Sequence, residues 1–321
     1  MTKFLVILAS ALLASASASS FAQNGPQSDQ QAPGYYRAKL GAFQITALSD
    51  GTAPRHVDQI LSRPDVVNAE YEAAHEAEPI ELSINAYLIN TGTHMILIDT
   101  GAGELFGATS GKLITNMKDA GVSPEQIDTI LLTHIHADHS GGLAMKGVMQ
   151  FPNATIYVSK RDVEEFVTRK DTPDESADLR RIVRQSRATI GLYVNAKKVV
   201  YIERDGQIFP GITSRSQPGH TPGHTAYLVE SEGHRMLFWG DIVHSAEVQF
   251  VHPEITIQYD VDPKEAAEQR LREFQFASET GIAVASDHVS FPGLGHVGKT
   301  DSGYRWYPIP YSATDTELDP K

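Results

Sequence analysis

An apolar run, residues 127–132, leads without a break into Thr133-His134-Ile135-His136-Ala137-Asp138-His139-Ser140-Gly141-Gly142. Such a run reads as a buried strand, and functional groups collect where a strand of that kind gives way to its loop. Four potential ligands within six residues cannot all reach one ion. His134 and His136 can converge on a first metal, while Asp138 and His139, displaced along the turn, face a second. The pattern predicts a two-metal centre, with Gly141 and Gly142 letting the backbone pass close to the ions. The chain has no cysteine, so nitrogen and oxygen must supply every ligand and a thiol nucleophile is excluded.

Three later positions repeat the strand-then-ligand arrangement. His220, in Pro218-Gly219-His220, follows an expected strand at 212–216; Asp241 follows the apolar residues 236–239 and Gly240; His288 follows 282–285. Each polar group emerges as a strand ends, which gathers all of them along one edge of a layered structure. Further strands are expected at 43–47, 86–90 and 95–99, the last two joined by a hairpin turn at 91–94. One helix is expected over 110–120, stopped by Gly121. Another opens with Asp262 as N-cap and Pro263 at its first position, with Ala267, Leu271 and Phe274 as its apolar stripe. Mixed strands and intervening helices make this an α/β chain, a layered sandwich read as one domain over 34–321. A basic run, Arg180, Arg181, Arg184 and Arg187, reads as the solvated face of a helix over 175–190. His224, four residues past His220, reads either as orienting that ligand or as a purely structural residue.

Composition narrows the partners. At 41% hydrophobic and 21% charged, the 321-residue chain is that of an ordinary globular protein, and a net charge of −13 disfavours a nucleic-acid partner. Lys3, an apolar stretch over 4–14 and the small residues Ser20 and Ala22 predict a cleaved signal at 1–22. The stretch falls short of the ~20 residues a membrane span needs, so no stable anchor is expected. A flexible leader over 23–33 follows, and the destination is the periplasm or the exterior.

His134-x-His136-x-Asp138-His139, Pro218-Gly219-His220, Gly240-Asp241 and His288, in this order, resemble the metallo-β-lactamase-fold hydrolase superfamily. Asp99-Thr100-Gly101-Ala102, Leu105-Phe106-Gly107, Val248-Gln249-Phe250 and Ser290-Phe291-Pro292-Gly293 are similar to its methyl parathion hydrolase and secreted lactonase branch. The resemblance implies an αββα sandwich. It implies that His134, His136 and His220 bind one metal, that Asp138, His139 and His288 bind the other, and that Asp241 bridges them. It also implies a pocket walled by Ile60, Phe106, Phe166, Val167, His244, Ile257 and Tyr259. A homodimer is a further implication of the same kind.

Two bridged divalent ions can hold a shared hydroxide, since metal binding lowers the pKa of water from 15.7 to about 7. Asp138 is placed to orient that nucleophile or pass a proton to the leaving group. Zinc is the default for these ligands, with manganese, iron or cobalt also suited. Val167, His244 and Tyr259 stand where the organophosphate hydrolases carry tryptophan and leucines, so polar groups enter a wall that a neutral phosphotriester would want apolar. The expected substrates are lactones such as dihydrocoumarin or acyl-homoserine lactones, and aryl esters, with organophosphate triesters as a side activity or, alternatively, the main one. A single-iron sulfur dioxygenase, a nuclease and a non-catalytic binding protein are the competing readings.

Overall fold

Alternation along the strands dictates the layering. Within Ile80–Asn90 and Met95–Ile98, the side chains of Tyr87, Ile89, Ile96 and Ile98 enter one apolar cluster, whereas Ala86, Leu88 and Leu97 enter another. Successive strand residues point to opposite faces, so a sheet whose every position is apolar must be covered on both sides. The computed structural model, which describes residues 31–314 and 316–319, meets that demand with two seven-stranded sheets and flanking helices, beside a small two-stranded ribbon, Ala144–Met145 with Val148–Met149. The expected signal at 1–22 and residues 23–30 of the leader lie outside the described residues.

The first sheet runs in chain order: Tyr35–Leu40 (β1), Phe43–Arg55 (β2), Ile80–Asn90 (β3), Met95–Ile98 (β4), Thr129–Leu131 (β5), Thr155–Ser159 (β6) and Val199–Ile202 (β7). The second does the same: Gly206–Phe209 (β8), Ile212–Ser216 (β9), Thr225–Ser231 (β10), His234–Phe238 (β11), Ala283–Ala285 (β12), Leu294–Thr300 (β13) and Gly303–Pro308 (β14). Both sheets are mixed. β4, β5, β6 and β7 are parallel neighbours, as are β11 and β12, and the other pairs are antiparallel. Ile45, Tyr87, Ile98 and Leu131 of one sheet meet Tyr227, Met236, Phe238 and Ala285 of the other in the central core. Helices close the outer faces, giving an αββα sandwich.

Helix boundaries depart from the sequence expectations for identifiable reasons. Leu113–Asp119 (α1) starts later than residue 110 because the buried Asp50 carboxylate takes the N–H groups of Ala102, Gly111 and Leu113, fixing the approach as a loop. Ala177–Ala188 (α2) opens on Ser176, whose side chain accepts from Leu179. Pro263–Thr280 (α3) opens on Asp262, which accepts from Glu265, and ends at Gly281 in the left-handed region. Its inward stripe, however, is Ala266, Arg270, Glu273, Phe274 and Ala277; Leu271 is 42% exposed. Two polar residues occupy the inner face because each has partners there. Arg270 donates to the carbonyls of Ile242, Pro253 and Ile255, and Glu273 pairs with Arg215.

Candidate metal centre and pocket

Each expected ligand leaves the C-terminal end of a strand. β5 delivers His134, His136, Asp138 and His139, β9 delivers His220, β11 delivers Asp241 and β12 delivers His288. The structure brings all seven together. His136 Nδ1 and His220 Nε2 are 3.0 Å apart, and Asp241 Oδ2 lies 3.6 Å from His134 Nε2 and 3.2 Å from His220 Nε2. The other oxygen, Asp241 Oδ1, lies 3.1 Å from His139 Nε2 and 3.2 Å from His288 Nε2. Asp138 reaches the same pair at 3.9 Å and 3.7 Å. One carboxylate thus offers an oxygen to each of two donor clusters.

The donor set fits a cation pair on three grounds. Neighbouring ligands around a tetrahedral ion with bonds of about 2.1 Å stand about 3.4 Å apart, which the separations bracket. His134 Nε2, His139 Nε2 and Asp241 Oδ1 are buried without a hydrogen-bond partner, a costly state unless another ligand completes them. Outer partners also select the tautomer. His139 Nδ1 meets Asp99 Oδ2 at 2.8 Å, His220 Nδ1 meets Asp260 Oδ1 at 2.8 Å and His288 Nδ1 donates to the Ser83 carbonyl at 2.8 Å. Thr133 donates its hydroxyl to Asp99 and so accepts from His134 Nδ1 at 3.1 Å. In all four rings the Nε2 lone pair is thereby turned inward.

A cavity of about 290 Å³ opens over the cluster, reaching His136, Asp138, His220, Asp241, His244 and His288. Phe106, Ile257 and Tyr259 line it, together with Ala53, Leu82 and Ile182, which sequence reasoning missed. Three residues named as walls do not line the cavity itself. Ile60 packs in the apolar cluster that holds the wall residues Leu82 and Ile257, with Tyr259 against it. Phe166 is buried beneath the His136 ring, centroids 5.9 Å apart, and Val167 packs on the core of the first sheet. A π-helical turn over Glu164–Thr168 holds these last two. The basic run is also not wholly solvated, because Arg181 and Gln185 line the cavity.

Residues 79–286 match the family profile described as Metallo-beta-lactamase superfamily. The chain belongs to the metallo-beta-lactamase superfamily. Among solved structures it is similar to the hydrolase AbOPH of the beta lactamase superfamily, at 37% identity, covering 88% of this chain and 100% of that one with a TM-score of 0.83. It is also similar to AidC, a dizinc quorum-quenching lactonase, at 25% identity, covering 87% and 98% with a TM-score of 0.79. An N-acyl homoserine lactonase of Bacillus cereus is 28% identical over 172 residues, 48% of this chain and 60% of that protein. The chain thus spans about three-fifths of the length of the curated relatives it first matches. The paired His/Asp clusters and the dizinc relative support a binuclear divalent-metal site.

Within this metallo-beta-lactamase frame, several supporting residues differ from expectation. Gly141 and Gly142 approach the backbone of the Asp99–Ala102 turn rather than the ions: a Cβ on them would stand 2.3 Å from the Ala102 carbonyl oxygen and 2.0 Å from that of Thr100. His224 does not orient His220; its Nε2 accepts from the backbone N–H of Asp241 at 3.0 Å, and Asp260 serves His220. Asp99, Asp260 and Asp287 act from behind the ligands and were not singled out for that role. Asp287 lies 3.2 Å from His139 Nδ1, and burial holds its carboxyl well above the ordinary range.

Protons and cations compete for these nitrogens. Burial pushes His134 and His136 well below the usual histidine value. Burial opposes protonation of His220 and His288 too, yet Asp241 with Asp260 or Asp138 raises both to about 9. A raised value means the proton is retained through neutral pH, so a cation that takes these two Nε2 atoms must displace protons. Metal affinity should therefore rise with pH towards 9 and fall on acidification, by about tenfold per pH unit for each proton displaced. Chelator competition between pH 6 and 8 measures this, and a pH-independent affinity would contradict it.

Proposed function

We propose that the protein is a metal-dependent hydrolase of lactones and aryl esters, with phosphotriesters as slower substrates and zinc as the resident metal. The observation that carries this reading is a small, largely apolar cavity opening directly onto both donor clusters, with His244 as a polar member of its wall. Its volume lies at the small end of ligand pockets and suits a compact lactone or aryl ester. AidC and the Bacillus relatives are lactonases, which supports the same class. We further propose that the chain is exported and works as a single domain over 34–321; no helix among the described residues is long and apolar enough to cross a membrane.

When bound, a pair of divalent ions supplies Lewis acidity that polarises the ester carbonyl and acidifies water. The chain's own residues do the rest. His134, His136, His220 and Asp241 would hold one ion, and Asp138, His139, His288 and Asp241 the other. Asp138 makes the longest contacts of the set and is the most exposed of the acidic donors, at 19%. It is the group placed to take the proton of the attacking water and return it to the departing alkoxide as the acyl–oxygen bond breaks. His244 Nε2 meets Asp241 Oδ2 at 3.0 Å, which sets the ring against the bridge, and Gln249 Oε1 accepts from the His244 backbone N–H at 2.7 Å, which holds the turn that carries it. Phe106, Ile257 and Tyr259 exclude water and hold the ring of the substrate.

Kinetics on dihydrocoumarin, an acyl-homoserine lactone and methyl parathion, at defined metal content, test the reading. Lactone turnover should exceed phosphotriester turnover, and His244→Leu should move the ratio towards the phosphotriester by about tenfold. Higher wild-type efficiency on methyl parathion would overturn the substrate assignment. One iron per chain with oxygen-dependent turnover would favour the dioxygenase instead.

A further inference from the structure

We infer that Arg55 makes the pocket selective for esters and lactones bearing a carboxylate or similar anionic group, an inference that rests on the hydrolase reading. Arg55 ends β2 and lines the same cavity as Asp138, Asp241 and His288. Its guanidinium stands over the ring of Phe106, 4.9 Å from the centroid, while Nη1 donates to the Pro54 carbonyl at 3.0 Å. No Asp or Glu among the described residues pairs with it. A half-buried guanidinium beside Ala53, Leu82 and Phe106 has lost part of its hydration without gaining a counter-charge.

The occupant of the cavity is the natural source of that charge. Stacking on Phe106 orders the guanidinium in advance, and its remaining N–H donors form a planar fork that matches a carboxylate. Apolar walls lower the local dielectric and strengthen the pairing. A second guanidinium, Arg181, lines the cavity, held by Gln185 Oε1 at 3.2 Å and by Asp178 at 3.3 Å. Asp178 is 85% exposed, so that pair is weak and Arg181 can turn to an anionic guest. Two arginines converge on this cavity in a chain whose net charge is −13. A neutral phosphotriester or a plain acyl chain would leave Arg55 without a counter-charge and Arg181 with only its exposed Asp178 partner.

The test uses the zinc-loaded full chain and two pairs of probes. Hydrolysis of 4-acetoxybenzoate is compared with that of phenyl acetate, and calorimetric binding of the ester-free analogue 4-acetamidobenzoate with that of acetanilide. Wild-type protein should favour the anionic member of each pair at least about tenfold, and Arg55→Gln should cut that ratio by about tenfold or more. Arg184→Gln, which removes the same charge from an exposed position of the basic run that carries Arg181, should leave the ratio unchanged. An unaltered ratio in Arg55→Gln would overturn the inference, because the bound cations alone would then attract the carboxylate. A change confined to inhibition by product carboxylate would overturn it as well. Hydrolysis of neither ester would overturn the hydrolase reading, and the binding comparison would still decide for or against Arg55.

Discussion

Replacing Asp241 by alanine is expected to lower metal content from two ions per chain to at most one and to cut lactone turnover by about a thousandfold or more. The expectation follows from geometry. Asp241 Oδ2 stands within 3.6 Å of His134 and 3.2 Å of His220, and Oδ1 within 3.1 Å of His139 and 3.2 Å of His288. Among the described residues, no other carboxylate joins both clusters of donors. Asp241→Asn keeps one oxygen and should retain a single ion, which separates loss of the bridge from loss of the fold. Elemental analysis beside circular dichroism measures both. Two ions seated in Asp241→Ala, with turnover near that of the wild type, would reject the bridge.

Arg270→Met should destabilise the protein by about 2–4 kcal/mol and weaken hydrolysis in parallel. The guanidinium is wholly buried, and burial pulls its value down to about 10, so it stays charged at neutral pH. It donates at 2.7 Å to the Ile242 carbonyl, one residue past Asp241, and at 2.8 Å to those of Pro253 and Ile255, just before the wall residue Ile257. One side chain from α3 thereby ties the bridging ligand's turn to the pocket wall. Methionine preserves the apolar stem but leaves the buried Ile242 carbonyl without a donor. A shift in the denaturation midpoint at unchanged slope, with a matching fall in metal affinity, is the expected record. A variant as stable as the wild type would show that water replaces the guanidinium at no cost.

The convergence of these seven side chains was legible because its information is local. Each sits a few residues beyond an apolar strand, and strand ends at one edge of a sandwich converge whatever the strand order. What lies behind them was not, because the partners are distant in sequence: His139 leans on Asp99, His220 on Asp260 and His288 on the Ser83 carbonyl. No periodicity marks an aspartate that will meet a histidine 40 residues away. The pocket was legible only in part. Phe106, Ile257 and Tyr259 line it, but Phe166 and Val167 sit on a π-helical turn that directs them to the core, a backbone feature hydrophobicity does not encode. Leu271 misled for the opposite reason. Arg270 and Glu273 take the inner face of α3 through buried partners, so the apolar stripe read from the sequence was rotated from the real one. Arg181 was likewise read as solvated from charge alone, although α2 turns it to the cavity.

The most direct test of the central idea is anomalous diffraction from crystals of the metal-loaded protein, with elemental analysis of the same preparation. The account predicts two ions per chain, one within bonding distance of His134, His136 and His220, the other of Asp138, His139 and His288, and Asp241 touching both. A solitary ion, or a pair with Asp241 turned away, would contradict it.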